Sequence, residues 1–192
     1  MPGRSARHAS LVYVVPHLLT AARVILAAAA VDAALTDHVT RAAALITLSA
    51  VLDGLDGKVA RWLNASGPFG ALFDYFCDYL AFLVAPWMLT RTLLGPDRPV
   101  FADVVLTLPL LTGAIRYARS SLIVTSRVDE VRELPGLATV FFAFVSVVAV
   151  FLDGRSRLSP EQFSGVLLVM TALFSVLMCS RREAGVTSAA CR

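Results

Sequence analysis

Four aspartates, Asp53, Asp56, Asp74 and Asp78, fall in one short stretch of an otherwise apolar chain. The first pair belongs to Asp53-Gly54-Leu55-Asp56-Gly57-Lys58-Val59-Ala60-Arg61, and the second to Gly70-Ala71-Leu72-Phe73-Asp74-Tyr75-Phe76-Cys77-Asp78. Asp53, Asp56, Gly57 and Ala60 are spaced i, i+3, i+4, i+7, and Gly70, Asp74 and Asp78 are spaced i, i+4, i+8, so each set lies on one face of a helix. Asn64 to Pro68 reads as a turn between the two helices, which makes them antiparallel neighbours facing one cavity. Four carboxylates in one cavity repel each other unless a cation joins them. Oxygen-only ligands select a hard divalent ion such as Mg²⁺, which favours a few carboxylates plus phosphate. Arg61 offers a planar fork for phosphate oxygens, and Lys58 adds a second positive charge nearby. Gly57, Ala60 and Gly70 leave room for a ligand to approach the backbone. The alternative for the small residues is close helix packing, a common membrane device.

The elements that must position these groups lie in a lipid-like setting. The 192 residues are 57% apolar and 16% charged, against roughly 45–50% and 25% in soluble domains, and the mean hydropathy is +0.73. An integral membrane protein in one domain, residues 1–180, with a polar tail at 181–192, is expected. Carboxylates at membrane depth are costly and mark function by default. Cys77, Cys179 and Cys191 are odd in number and scattered, which argues against a disulfide framework or a thiolate metal site, and Cys77 reads as a packing residue. With a net charge of only +3, no nucleic-acid partner is expected. No secretory signal is read at the N-terminus, because the apolar run behind Arg4, Arg7 and His8 continues to Leu35 without a small-residue cleavage site.

The fold expected is all-α, with six transmembrane helices at about Leu18–Leu35, Arg41–Leu63, Phe69–Leu94, Val100–Val124, Leu137–Leu152 and Phe163–Cys179. Residues 1–10 read as interfacial or frayed, and Pro16 as the opening of the first helix. Lys and Arg near the helix ends divide unevenly. One side takes Arg4, Arg7, Lys58, Arg61, Arg116, Arg119, Arg127, Arg132, Arg181, Arg182 and Arg192, and the other takes Arg41, Arg91, Arg98, Arg155 and Arg157. The bias places both termini and the aspartates on the cytoplasmic side.

The pattern D-x-x-D-G-x-x-A-R-x8-G-x3-D-x3-D, met at every fixed position from Asp53 to Asp78, resembles the signature of the CDP-alcohol phosphotransferases. The resemblance implies a six-helix membrane enzyme, usually a homodimer, that moves a substituted phosphate from a CDP-linked donor to an alcohol and releases CMP. It implies metal ligands at Asp53, Asp56, Asp74 and Asp78, with Asp78 also the general base, and one or two Mg²⁺ or Mn²⁺ ions. Gly57, Ala60, Arg61 and Gly70 would line the pocket for the CDP part of the donor. The stretch Pro16-His17-Leu18-Leu19-Thr20-Ala21-Ala22-Arg23 is similar to the family's first-helix Pro-Asn-x-x-Thr-x-x-Arg, with His17 in place of Asn. The plain alternative for Arg23 is snorkelling to the interface.

Gly113-Ala114-Ile115-Arg116-Tyr117-Ala118-Arg119 and Glu133-Leu134-Pro135-Gly136 resemble segments of bacterial phosphatidylserine synthases, although Ser120-Ser121 replaces their usual continuation. Arg116 and Arg119, one turn apart, are expected to bind the acceptor. The alternative is that they anchor a cytoplasmic helix end. The expected reaction transfers a phosphatidyl group from CDP-diacylglycerol to a small alcohol at the cell membrane, with L-serine favoured. Glycerol 3-phosphate, inositol phosphate or another phospholipid are the alternative acceptors. A silent membrane scaffold has no use for four aspartates, and a transporter would be expected to break its helices at mid-membrane.

Overall fold

The computed structural model describes residues 3–62, 68–126, 137–153 and 159–179, with side chains for 18–59, 62, 68–121, 139–153 and 159–178. Of the turn expected at Asn64–Pro68, residues 64–67 lie outside the described residues, as do the loops after 126 and 153 and the tail at 181–192, while Pro68 opens a helix. The described chain is helical: α1 Gly3–Leu35, α2 Val39–Trp62, α3 Pro68–Tyr79, α4 Ala85–Leu93, α5 Val100–Ser126, α6 Leu137–Asp153 and α7 Pro160–Cys179. A π-helical turn, Leu80–Val84, joins α3 to α4 into one rod, and the Ala85 N–H reaches back five residues to the Leu80 carbonyl. The six rods match the six expected helices in order and position, with one correction. Pro16 does not open α1, which starts at Gly3 and runs through it.

Among the described residues, four helices are long and apolar enough to cross a membrane, at Leu18–Leu35, Pro68–Leu93, Val100–Ser121 and Pro160–Met178, while Thr139–Asp153 is a shorter apolar helix. α2 carries Arg41, Asp53, Asp56, Lys58 and Arg61, which lower its hydropathy.

The ends of the rods have local causes. After Leu35, Asp37 takes φ 59°; its N–H bonds the Ala34 carbonyl at 3.1 Å, and the His38 N–H bonds the Ala33 carbonyl at 2.8 Å. This pair of bonds closes a helix C-terminus with the left-handed residue that Asp tolerates. The α3–α4 rod ends at Gly95, whose φ is +72°. Arg98 then donates to the Gly95 carbonyl at 2.6 Å and to Asp103 at 2.7 Å, fixing the entry to α5.

The core seam lies between α1 and α2. Ala27, Ala30, Ala33 and Ala34 meet Ala42, Ala43 and Ile46, all buried. Side chains this small let two helices approach closely. On α2 the buried stripe Ala42, Ile46, Ser49 continues at the same spacing into Asp53 and Asp56. The face that packs the hairpin therefore becomes, two turns further on, the face that carries carboxylates. The α3–α4 rod crosses this hairpin: Thr92 donates to the Ala34 carbonyl at 3.1 Å, and Thr90 shares a 3.0 Å hydrogen bond with Ser146 of α6.

Candidate active site

Antiparallel pairing about Asp37 sets Thr20 and Arg23 of α1 at the level of Asp53 and Asp56 of α2. Arg23 lies 14 residues before the turn residue and Asp53 lies 16 after it, nearly equal heights at 1.5 Å per residue. The α3 rod brings Asp74 and Asp78 to the same level. All four aspartates converge on Arg23, whose side chain is fully buried. Its Nη1 pairs with Asp56 at 3.3 Å and Asp74 at 2.8 Å, and its Nη2 with Asp53 at 2.7 Å and with Asp78. Thr20 donates to Asp56 at 3.3 Å. The Phe82 ring, just past Asp78, lies 5.3 Å from the guanidinium centre, within cation–π range.

The carboxylates are graded in depth. The Asp56 side chain is 7% exposed, Asp78 16%, Asp53 29% and Asp74 41%. One edge of the cluster is thus closed and the other open to a ligand. With its four partners ionised, the set carries −4 against the single +1 of Arg23. A large negative excess remains for a cation to neutralise.

The sequence pattern of the CDP-alcohol phosphatidyltransferases matches residues 13–187. The chain belongs to that family. It is a transferase of phospholipid biosynthesis and a multi-pass membrane protein. In the family's terms its substrates are a CDP-alcohol donor and an alcohol acceptor. It is 31% identical over 168 residues to a CDP-diacylglycerol–serine O-phosphatidyltransferase of Helicobacter pylori, covering 88% of this chain and 70% of the relative. A protein of the same name in Mycobacterium tuberculosis is 34% identical over 106 residues, covering 55% of this chain and 37% of the relative. A putative cardiolipin synthase of Mycobacterium bovis is 36% identical over 111 residues, covering 52% of this chain and 51% of the relative. No solved structure matches the chain.

The transferase site fits a divalent ion. Asp53, Asp56 and Asp74 each offer a carboxylate oxygen, and these lie within 4.8 Å of one another. An octahedral Mg²⁺ with bonds of about 2.1 Å sets neighbouring oxygens about 3.0 Å apart and opposite ones about 4.2 Å apart, so the three must draw closer together to meet one ion. Asp78 joins the group through Arg23 Nη2.

Gly57 is exposed, and a Cβ built there would meet nothing within 4 Å. Among the described residues no neighbouring helix packs against this position. Gly70 is half-buried in the first turn of α3. Ala60 and Arg61 lie on α2, but their side chains are outside those described. Lys58 is exposed.

Arg116 is half-buried and Arg119 exposed, on α5, which packs against α3. Between them Tyr117 points to the site helix. Its ring lies 5.7 Å from that of Tyr75 and 6.3 Å from that of Tyr79, and its hydroxyl donates to Thr139 at 3.2 Å. The arginine segment is thereby fastened to the helix of Asp74 and Asp78.

The sequence offers two readings of Arg23, a member of a stretch similar to the family's first helix or a residue that snorkels to the interface. The structure puts it at the centre of the aspartates. The signal that could have found its partners is the nearly equal distance of Arg23 and Asp53 from the Thr36–His38 turn. Tyr117 was passed over because a tyrosine on an apolar helix carries no signal by itself. Cys77 is buried, as a packing residue should be.

Proposed function

We propose that the chain is a phosphatidylserine synthase, transferring a phosphatidyl group from CDP-diacylglycerol to the hydroxyl of L-serine with release of CMP. The observation that carries the transfer chemistry is the convergence of Asp53, Asp56, Asp74 and Asp78 on one buried point. The serine acceptor is supported by the printed activity of the Helicobacter pylori relative, which aligns over 88% of this chain. Transfer to another phospholipid, a glycerol phosphate or an inositol phosphate is the second reading. It is favoured by the likeness to a putative cardiolipin synthase.

In this reading Asp53, Asp56 and Asp74, with Asp78 beside them, hold one or two Mg²⁺ or Mn²⁺ ions. A divalent ion there supplies charge neutralisation for the pyrophosphate as its bridging bond breaks. Asp78 accepts the proton of the acceptor hydroxyl, a poor nucleophile without a base within hydrogen-bond reach. Gly57, Ala60, Arg61 and Gly70 border the CDP moiety, and Arg61 supplies donors to phosphate oxygens. Arg116 and Arg119 hold the charged end of the acceptor.

All six rods cross the membrane as one domain. The Lys/Arg bias supports cytoplasmic termini and a site at the cytoplasmic boundary, where an amphiphilic donor and a water-soluble alcohol can meet. The enzyme works as a homodimer, and the wide exposed apolar faces of α5 and α7, including Val104, Leu111, Val169 and Leu173, are suited to lipid or a second copy.

The deciding experiment incubates purified protein with CDP-diacylglycerol, Mg²⁺ or Mn²⁺ and a panel of serine, glycerol 3-phosphate, inositol phosphate and phosphatidylglycerol, measuring CMP release. Serine giving the highest rate supports the proposal. Another acceptor outcompeting it moves the chain to the second reading. No CMP with any acceptor rejects the transfer itself.

A further inference from the structure

Arg23 is an unusual occupant for the centre of a carboxylate cluster. Its two terminal nitrogens reach the same three carboxyl groups, Asp53, Asp56 and Asp74, that lie close enough together to share an ion. A guanidinium and a divalent cation at those groups repel each other. The side chain is also incompletely satisfied, since its Nε is buried with no hydrogen-bond partner among the described residues. An orphaned buried donor costs free energy, so this seat is good for the terminal nitrogens and poor for the rest of the group. The residue is anchored from below by a helix seam of alanines, which leaves little freedom for α1 to retreat; the adjustable part is the guanidinium.

We infer that Arg23 is an internal counter-cation that holds the four carboxylates in register before the ion arrives and competes with the ion for them. Arginine and ion are interchangeable holders of one ligand set, and entry of the ion displaces the guanidinium from Asp53, Asp56 and Asp74. Arg23 is then a positioning residue. The inference rests on the reading of the cluster as a divalent metal site.

Two consequences oppose each other, which makes the idea testable without turnover. Removing the positive charge leaves four carboxylates unsupported, so the metal-free protein loses stability. The same change removes a repulsion, so the ion binds more tightly. Even at the dielectric constant of water, a divalent ion about 6 Å from a unit positive charge is opposed enough to weaken binding about tenfold, and partial burial raises that.

The experiment uses the full chain in detergent, purified with saturating Mg²⁺ and then stripped. Mn²⁺ affinity is measured by electron paramagnetic resonance, and unfolding temperature with and without the ion. For R23Q the expected result is a lower metal-free unfolding temperature, a larger stabilisation by Mn²⁺ than in wild type, and affinity tighter by roughly tenfold or more. R23K, which keeps the charge, is expected within about threefold of wild type. Unchanged or weaker Mn²⁺ binding by R23Q overturns the inference and makes Arg23 a fixed pairing partner. So does an R23Q protein that cannot be recovered even with saturating Mg²⁺, since ion and arginine would then not be interchangeable. Absence of Mn²⁺ binding in wild type rejects the metal reading itself.

Discussion

Gly113→Ala tests how the site helix is braced. A Cβ on Gly113 of α5 would stand 2.2 Å from Leu83 Cδ1 and 3.3 Å from Met178 Cε. Carbon atoms rest at about 3.5–4.0 Å, so the Leu83 tip must yield by more than 1 Å. It has nowhere easy to go, because Leu83 is fully buried against Phe142, Phe174 and Met178. Overpacking of this kind costs about 1–3 kcal/mol, while Ala over Gly in a helix returns about 1 kcal/mol. The net expectation is a loss of about 1 kcal/mol, or roughly 2–4 °C in unfolding temperature for a chain of this size. Leu83→Val removes the atom that clashes, so Gly113→Ala placed on that background should be neutral or stabilising. The assay is thermal unfolding in detergent for both single variants and the double variant. Coupling between neighbours is expected at about 0.5–3 kcal/mol. Strict additivity, or an unchanged unfolding temperature for Gly113→Ala alone, refutes the packing argument. Leu83 sits in the π-helical turn directly after Asp78, so CMP release should fall alongside stability.

Further expectations concern the site. Chelation should abolish CMP release and Mg²⁺ or Mn²⁺ should restore it; full activity after chelation sinks the metal assignment. Asp78→Asn should cut turnover by about 10²-fold or more, the usual worth of a general base, and bind Mn²⁺ and donor nearly as wild type. Asp56→Asn should instead weaken both, and equal loss of donor binding in the two variants would show that Asp78 is mainly a ligand. Arg116→Ala and Arg119→Ala should raise the acceptor KM by roughly 10- to 150-fold, the loss of a charge-assisted hydrogen bond, while leaving donor affinity alone; unchanged KM in both returns them to interface anchors. Ala30→Leu, at a fully buried point of the α1–α2 seam, should destabilise by about 1–3 kcal/mol, read as a lower unfolding temperature with or without metal.

The helices were legible because apolar runs broken by Thr36-Asp37-His38 and Gly95-Pro96 leave few ways to divide the chain. The aspartates were legible because their spacing fixes a face on each helix whatever the tertiary structure. The start of α1 was not, since Pro16 is acceptable both at a helix opening and within a helix that surrenders one hydrogen bond. The π-helical turn left no mark either: Leu80-Ala81-Phe82-Leu83-Val84 is as good an α-helix as its neighbours. Arg23 was hidden for a different reason. The first-helix stretch Pro16–Arg23 drew notice to it, but its role is set by which residues stand opposite it across a hairpin, and neither that stretch nor the motif at 53–78 contains that information.

The π-helical turn has a genetic consequence. A turn that spends one residue more than an α-helix behaves like a single inserted codon. Downstream of it, α4 is held by Thr90 and Thr92 against α6 and α1; upstream, α3 carries Asp74 and Asp78. Deleting one residue between Leu80 and Val84 would turn this segment into ordinary α-helix and leave α3 and α4 in register, whereas deleting two would leave α4 seated and swing both carboxylates about 100° around the rod, away from Arg23. Deletion scanning across this segment should therefore spare activity when one residue is removed and abolish it, without unfolding, when two are. The loss of one residue at this point, with every side chain of the site retained, would mark a gene that has kept both the fold and the reaction.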